Sequence, residues 1–431
     1  MSILLVLIIL IFCIIQKRPT PIICLLIFLL PLHEFIKQIL IVKYSSPGIF
    51  PLWREIAIFF LFYKTYKSNH SYNRFQKFNY RVTFAIIFLN IIYYSFAEDK
   101  DSAISALRLA LMTTILFISL SSYNFTSKDL KKILYAGILS LLITSITGYI
   151  ERFILYLPIH LFMEHLEFKN GAYSFITTSF NIMNMPRMSG IMNGPNQYGV
   201  TVSFWLTILI LLFFNNKIAH KKIAFLISII SGICLILSFS RAGWFILGFS
   251  IVYYLFSTKK LTLRNLITIS IITIFLIVLG MILMPETYDI ISASLSGEED
   301  SAAYRDDMIL EALNRIILEP WGHGLGAGRT DSGTFTESSF VILLFEIGFI
   351  TTWLYYFLFY QIIIVNLKKR EKDTLKFILS STCLASVIIS FVSVNFNEAP
   401  FMFYFWGSLG LVLNPHIVSN QPLSIEKKKY K

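Results

Sequence analysis

Long apolar stretches alternate with short polar ones along almost the whole chain, and most of the apolar ones approach the length of a bilayer crossing. A helix needs about 20 predominantly apolar residues to cross the hydrocarbon core. Stretches of that character lie near 1–15, 19–41, 50–63, 82–97, 102–121, 133–157, 199–214, 223–239, 244–257, 265–284, 339–366, 377–394 and 401–414. The pattern predicts an all-α, polytopic integral membrane protein with twelve or thirteen transmembrane helices, a single transmembrane domain over 1–431. The first stretch follows Met1 directly, without a basic segment or a small-residue cleavage site, and reads as a retained helix rather than a signal peptide. Two polar stretches are long, 158–198 and 285–338, and long connections tend to carry function. The second is expected to hold a helix at about 301–319. Asp300 or Ser301 can cap it, Pro320 ends it, and Ile309, Ala312, Leu313, Ile316 and Ile317 share one face.

Composition agrees with this reading: 56% of the 431 residues are hydrophobic and only 14% are charged. The net charge of +12 is spread over thin loops, with no basic domain, which argues against nucleic acid as a partner. Its distribution matters more. Of the 24 lysines, 18 cluster on alternate loops, at Lys64, Lys67 and Lys77, Lys128, Lys131 and Lys132, Lys217, Lys221 and Lys222, Lys259 and Lys260, Lys368 to Lys376, and Lys427 to Lys429. The positive-inside rule assigns those loops to the cytoplasm, with the C-terminus. The opposite loops, including both long ones, hold arginines instead: Arg152, Arg187, Arg241, Arg305, Arg315 and Arg329. Arginine presents a permanently charged planar fork that grips phosphate in a bidentate way. Outward arginines therefore point to a phosphate-bearing ligand on the far side of the bilayer.

Individual positions carry alternatives. Arg241 lies in the tight turn Ser238–Trp244, either reaching a lipid-linked phosphate or anchoring a helix end. Arg187 is a substrate contact or a loop ion-pair partner. Arg305 extends the apolar face of the loop helix and needs a partner, from substrate or from another loop. Arg108 lies two turns inside a span, where an ionisable group is a functional candidate by default. Arg54 and Glu55 form an adjacent pair in another span. Glu337 is a candidate general base where the second long loop re-enters the membrane, or a helix N-terminal acid; Glu346, deeper in that span, is buried or part of a site. The run Trp321-Gly322-His323-Gly324-Leu325-Gly326-Ala327-Gly328-Arg329 lacks the Gly-Lys-Ser/Thr of a phosphate loop. It allows close approach to a ligand or is a flexible turn, and taken alone the turn is favoured. The seven histidines and four cysteines show no metal-ligand spacing, and no metal or other cofactor is expected.

Taken in order, four stretches resemble the membrane O-antigen ligase and polymerase superfamily: Arg187-Met188-Ser189-Gly190 with Pro195-Asn196, Ser238-Phe239-Ser240-Arg241-Ala242-Gly243, Tyr304-Arg305 with Glu319 to Gly326, and Glu337-Ser338-Ser339-Phe340 with Glu346-Ile347-Gly348. The resemblance covers residues 100–350. It implies an undecaprenyl-pyrophosphate-linked oligosaccharide as partner, alongside membrane lipids and with room for a chain-length regulator. It also implies metal-independent glycosyl transfer on the periplasmic face of the bacterial inner membrane. Family arginines contact that pyrophosphate, and Arg187, Arg241 and Arg305 match their positions. Together with the readings above, catalysis is expected at Glu337, Arg305 and Arg241, and substrate contacts at Arg187, Arg108, Arg329, His323 and Asn196. Ligases of the superfamily resemble His-Asn or His-Ser where this chain reads Glu337-Ser338. The favoured expectation is therefore a polymerase joining repeat units. The alternatives are a ligase transferring glycan to lipid A–core or protein and, further off, a lipid-linked oligosaccharide flippase or a cell-wall glycan polymerase.

Overall fold

The computed structural model describes residues 1–67, 72–155, 181–182, 185–192, 194–215, 217–218, 220–258, 267, 300–330, 333–334, 338–368, 374–394, 396 and 399–417. In chain order the helices are α1 Ser2–Ile15, α2 Thr20–Leu29, α3 Leu32–Tyr44, α4 Trp53–Tyr66, α5 Arg74–Phe96, α6 Lys100–Ser122 and α7 Ser127–Tyr149, which continues as a π-helical turn over Ile150–Leu155. After them come α8 Pro195–Phe214, α9 Lys221–Leu237, α10 Arg241–Ser257, α11 Asp300–Leu318, α12 Ser339–Lys368, α13 Thr374–Ile389 and α14 Phe401–Leu413. Extended structure among the described residues is confined to two antiparallel ladders of two-residue strands, Asn181–Ile182 with Met185–Pro186 and Arg329–Thr330 with Gly333–Thr334. The chain is thus the all-α, multi-pass membrane protein that the hydrophobic pattern predicts.

Four described helices are long and apolar enough to cross a bilayer: α6, α7 with its π turn, α8 and α12. A fifth crossing results if α2 and α3 count as one. The remaining expected spans are shorter or less apolar helices, and 265–284 lies almost wholly outside the described residues. The stretch at 19–41 is not one straight helix. It bends by 62° between Leu29 and Leu32, at Pro31, which has no N–H to donate into the helix ladder. The stretch at 339–366 is also interrupted, at Gly348, whose backbone is non-helical.

The helix starts follow local chemistry. Asn73 and Gln76 form a reciprocal capping box on α5, and Thr126 and Asp129 do the same on α7. Asp99 caps α6 and Ser240 caps α10. At the centre stands α8, apolar on every side and buried for 83% of its length as a span. Its neighbours approach through small residues, as membrane helices do in the absence of a hydrophobic drive between them. A Cβ on Gly243 of α10 would sit 2.7 Å from the Gly199 carbonyl oxygen of α8, and one on Gly137 of α7 would sit 2.1 Å from Trp205 of α8.

The bundle has two polar ends. At one, Gln76 donates to the Ser121 carbonyl, Thr20 to Asp129, and Asn414 to the carbonyls of Leu120 and Tyr123. Lys64, Lys77, Lys128, Lys131, Lys132, Lys221, Lys222, Lys368 and Lys376 all lie on helix ends at this side, as do Arg18, Arg74 and Arg81. The other end gathers the start of α8, the α9–α10 turn, the start of α12 and the connection from α13 to α14. Among the described lysines, Lys37, Lys43 and Lys100 lie there.

Candidate functional site

The end opposite the lysine clusters is built around an elbow. The chain leaves α9 at Leu237, turns through Ser238, Phe239 and Ser240, and re-enters helix at Arg241. Phe239 has φ of 49°, a left-handed conformation that a bulky side chain adopts only when its surroundings hold it there. Its side chain is buried, and Ser240 Oγ accepts from Gly243 N to start α10.

Arg187 holds this elbow from the side. It is 8% exposed. Its Nε donates to the Ser238 carbonyl at 3.0 Å, and its Nη2 donates to the Phe239 carbonyl at 3.2 Å and to Asn196 Oδ1 at 2.7 Å. The guanidinium thus supplies donors to the C-terminal end of α9, where helix carbonyls lack intrahelical partners and a cation is favoured. Met188 N adds a bond to the Leu237 carbonyl at 3.0 Å.

The turn that carries Arg187 is fixed in turn by Glu151. This carboxylate, 3% exposed, accepts from Ser189 Oγ at 2.9 Å, from Ser189 N at 3.1 Å and from Gly190 N. Sequence reasoning missed it. The signal was present: an acid at the end of an apolar span is an ionisable group in the membrane and a functional candidate by default. Its neighbour Arg152 drew the attention instead.

The elbow also concentrates positive potential. Arg241 opens α10 and is solvent-exposed. A cation at a helix N-terminus opposes the macrodipole by about 0.3–1 kcal/mol. The start of α8 lies beside it, with Gly194 at the cap position and no side-chain acceptor there. Ser240 Oγ reaches the Asn196 carbonyl at 3.5 Å, and a Cβ on Gly199 would be 2.1 Å from Ser240 Cβ. Two helix N-termini, Arg187 and Arg241 therefore converge, an arrangement suited to an anion.

The other expected residues stand elsewhere or fall outside the description. Arg108 is not part of the elbow; it pairs with Glu55 of α4 through Nε at 3.0 Å and through Nη2. Arg305 lies on α11 in register with Ile309, Ala312 and Ile316; its side chain is outside the description, as is that of Arg329 on the second ladder. Glu337 lies outside the described residues. The residues after it are anchors: Ser338 Oγ donates to the Phe391 carbonyl at 2.7 Å and Ser339 Oγ to the Ser393 carbonyl at 3.0 Å. The connection at 391–400 links this point to the elbow's helix, because Phe396 N donates to Ser339 Oγ and Gln197 of α8 donates to the Ala399 carbonyl.

The loop helix appears as α11, within a residue of its expected bounds. Ala312 and Ile316 are buried against Val341, Leu344 and Phe345 of α12, with Ile309 and Leu313 beside them. Ile317 departs from expectation and is 75% exposed. The glycine run packs closely on its neighbours. It is a strap docked on the bundle. Gly324 has φ of 99°, and a Cβ there would be 2.7 Å from Ala97 Cα at the end of α5. The break at Gly348 frees α12 carbonyls for the strap: His323 N donates to Phe345 O at 2.8 Å and Gly324 N to Glu346 O at 3.0 Å. Irregular backbone within a span is tolerated where protein satisfies it. His323 stacks on Phe345 at 4.1 Å, and its Nε2 lies 3.2 Å from Glu319. Glu346 is buried under the strap, beside a cavity lined by Asn90, Leu325, Tyr355 and Trp406.

Residues 226–357 match the family described as O-antigen ligase. That stretch includes the elbow, α11, the strap and α12 as far as residue 357, while Arg187 and Asn196 precede it. No curated protein matches the chain.

Proposed function

We propose that this chain, which belongs to the O-antigen ligase and polymerase superfamily, joins undecaprenyl-pyrophosphate-linked oligosaccharide repeat units into a surface polysaccharide at the periplasmic face of the inner membrane. One observation carries the reading: Arg187 and Arg241 converge with two helix N-termini at the end of the bundle opposite the lysine clusters. A diphosphate there meets fixed donors and concentrated positive potential.

In this mechanism the acceptor sugar hydroxyl attacks the anomeric carbon of the donor, the glycosidic bond to the lipid pyrophosphate breaks, and configuration inverts. The developing negative charge on the pyrophosphate is stabilised by Arg241, Arg187 and, from α11, Arg305. Glu337 accepts the hydroxyl proton. Asn196 sets the Arg187 fork, and His323, held on the strap, with Arg329 serves the saccharide and lipid portions. The sorting of lysine and arginine supports the orientation, with the C-terminus in the cytoplasm.

The replacement of the ligase histidine by Glu337-Ser338 favours a polymerase over a ligase. Purified protein in lipid nanodiscs, given a defined lipid-linked repeat unit alone, is expected to build a ladder of lipid-linked oligomers. Arg241→Ala, Arg305→Ala and Glu337→Gln variants of normal yield are expected to lose it. Transfer of single units only when a lipid A–core or protein acceptor is added would identify a ligase. Long products from all three variants would remove the assignment.

A further inference from the structure

The C-terminal half of α11 carries a second apolar side, distinct from the one that packs on α12. Leu310 is 59% exposed, Ile317 75%, Leu318 81%, and Trp321, just past the helix, 70%. At about 100° per residue, Leu310 and Ile317 fall together beside the buried Ala312–Ile316 stripe, and Leu318 closes the helix about 100° further round. Arg315, paired with Glu311 at 2.7 Å, lies about 140–160° round from Leu310 and Ile317.

This exposed side continues into the outer face of a spanning helix. Phe349 N of α12 donates to the Pro320 carbonyl at 3.1 Å, and a Cβ on Gly348 would lie 2.3 Å from the Trp321 carbonyl oxygen. One turn along α12, Phe349, Ile350 and Trp353 are 55%, 55% and 52% exposed. On a 30-residue helix apolar enough to cross a membrane, such side chains face acyl chains. The surface at Ile317, Leu318 and Trp321 is the upward continuation of that lipid-facing strip, and it ends in a tryptophan, the side chain suited to a boundary between apolar and wet surroundings.

We propose that the C-terminal half of α11 is an interfacial membrane helix, with Ile317, Leu318 and Trp321 inserted among the acyl chains of the adjacent leaflet and Arg315 in water. An exposed apolar edge with a charge on the opposite side has the form that lies in the bilayer surface. The insertion fixes the height of α11 on the bundle and does not depend on the glycosyl-transfer reading.

Collision accessibility of a nitroxide tests this in lipid nanodiscs. The four cysteines are replaced by alanine, and single labels are placed through Ile317→Cys, Arg315→Cys and Ile350→Cys. The label at position 317 is expected to resemble that at 350, with oxygen relaxing it several-fold more than a water-soluble nickel chelate. Position 315 is expected to show the reverse. A label at 317 that follows 315 would overturn the proposal, and so would one shielded from both reagents, which would mean a protein partner or a second copy covers the face. With native cysteines kept, brominated lipid is expected to quench part of the tryptophan emission, and Trp321→Phe to remove part of that quenching. An unchanged quenched fraction counts against insertion.

Discussion

Arg187 and Arg108 lie in the same half of the bundle and are held in opposite ways. Arg187 donates to two backbone carbonyls and to the amide oxygen of Asn196. Arg108 donates from both Nε and Nη2 to one carboxylate oxygen of Glu55. Carbonyl and amide oxygens are dipoles, which orient a guanidinium without cancelling its charge; a carboxylate cancels it. The first arrangement fixes the fork against the backbone of the elbow, whereas the second ties α4 to α6. Depth below the membrane surface does not separate the two arginines. The chemistry of the acceptor does.

The sharpest way to break that contrast is to keep the charge at 187 and remove the fork. Arg187→Lys is expected to lower the rate of ladder growth by about 10²–10³-fold, the scale of losing one preorganised donor to developing negative charge. Gel analysis of products from a defined lipid-linked repeat unit reads this directly. Growth at the wild-type rate would reduce Arg187 to one positive charge among several, and the elbow would lose its special standing.

The next effect concerns the support beneath the fork. Glu151→Ala leaves the N–H groups of Ser189 and Gly190 and the Ser189 hydroxyl without their buried acceptor, at a cost of about 1–3 kcal/mol. A lower thermal midpoint in detergent is expected, together with slower ladder growth because the Arg187 turn is released. Glu151→Gln keeps one acceptor oxygen and should recover part of both. A midpoint and a growth rate that ignore Glu151→Ala would show that the turn is held by other means.

Much of this was legible in the sequence, for physical reasons that differ by residue. The all-α membrane architecture follows from hydropathy, which acts over whole segments. The bounds of α11 follow from Asp300 and Pro320, which act locally. The separation of lysine from arginine is a property of loops and is readable once the spans are drawn. What stayed hidden was long-range pairing. Nothing near Arg108 in the sequence announces Glu55, 53 residues earlier, and the docking of the glycine run on α5 and α12 needs the folded bundle. The single stripe drawn through α11 failed at Ile317, because a helix lying on a membrane protein has two apolar environments, protein and lipid, and periodicity alone merges them. The bend at Pro31 was readable, since proline breaks the ladder wherever it falls, but hydropathy averaged over it.

The smallest effect bears on the other arm of the contrast. The side chains of Arg108 and Glu55 are 39% and 26% exposed, so their attraction is partly screened and each single alanine substitution should cost about 1 kcal/mol. In a double-mutant cycle the pair is expected to show a favourable coupling of about 0.5–1 kcal/mol, measured from unfolding midpoints of Arg108→Ala, Glu55→Ala and the double variant. Ladder growth by Arg108→Ala should stay close to wild type at a temperature where the variant is folded. The diagnostic combination is the reverse one: no coupling to Glu55, yet a collapse of growth. That outcome would mean the carboxylate is an incidental neighbour and Arg108 acts on substrate, and acceptor chemistry would then no longer distinguish a ligand-binding arginine from a structural one in this fold.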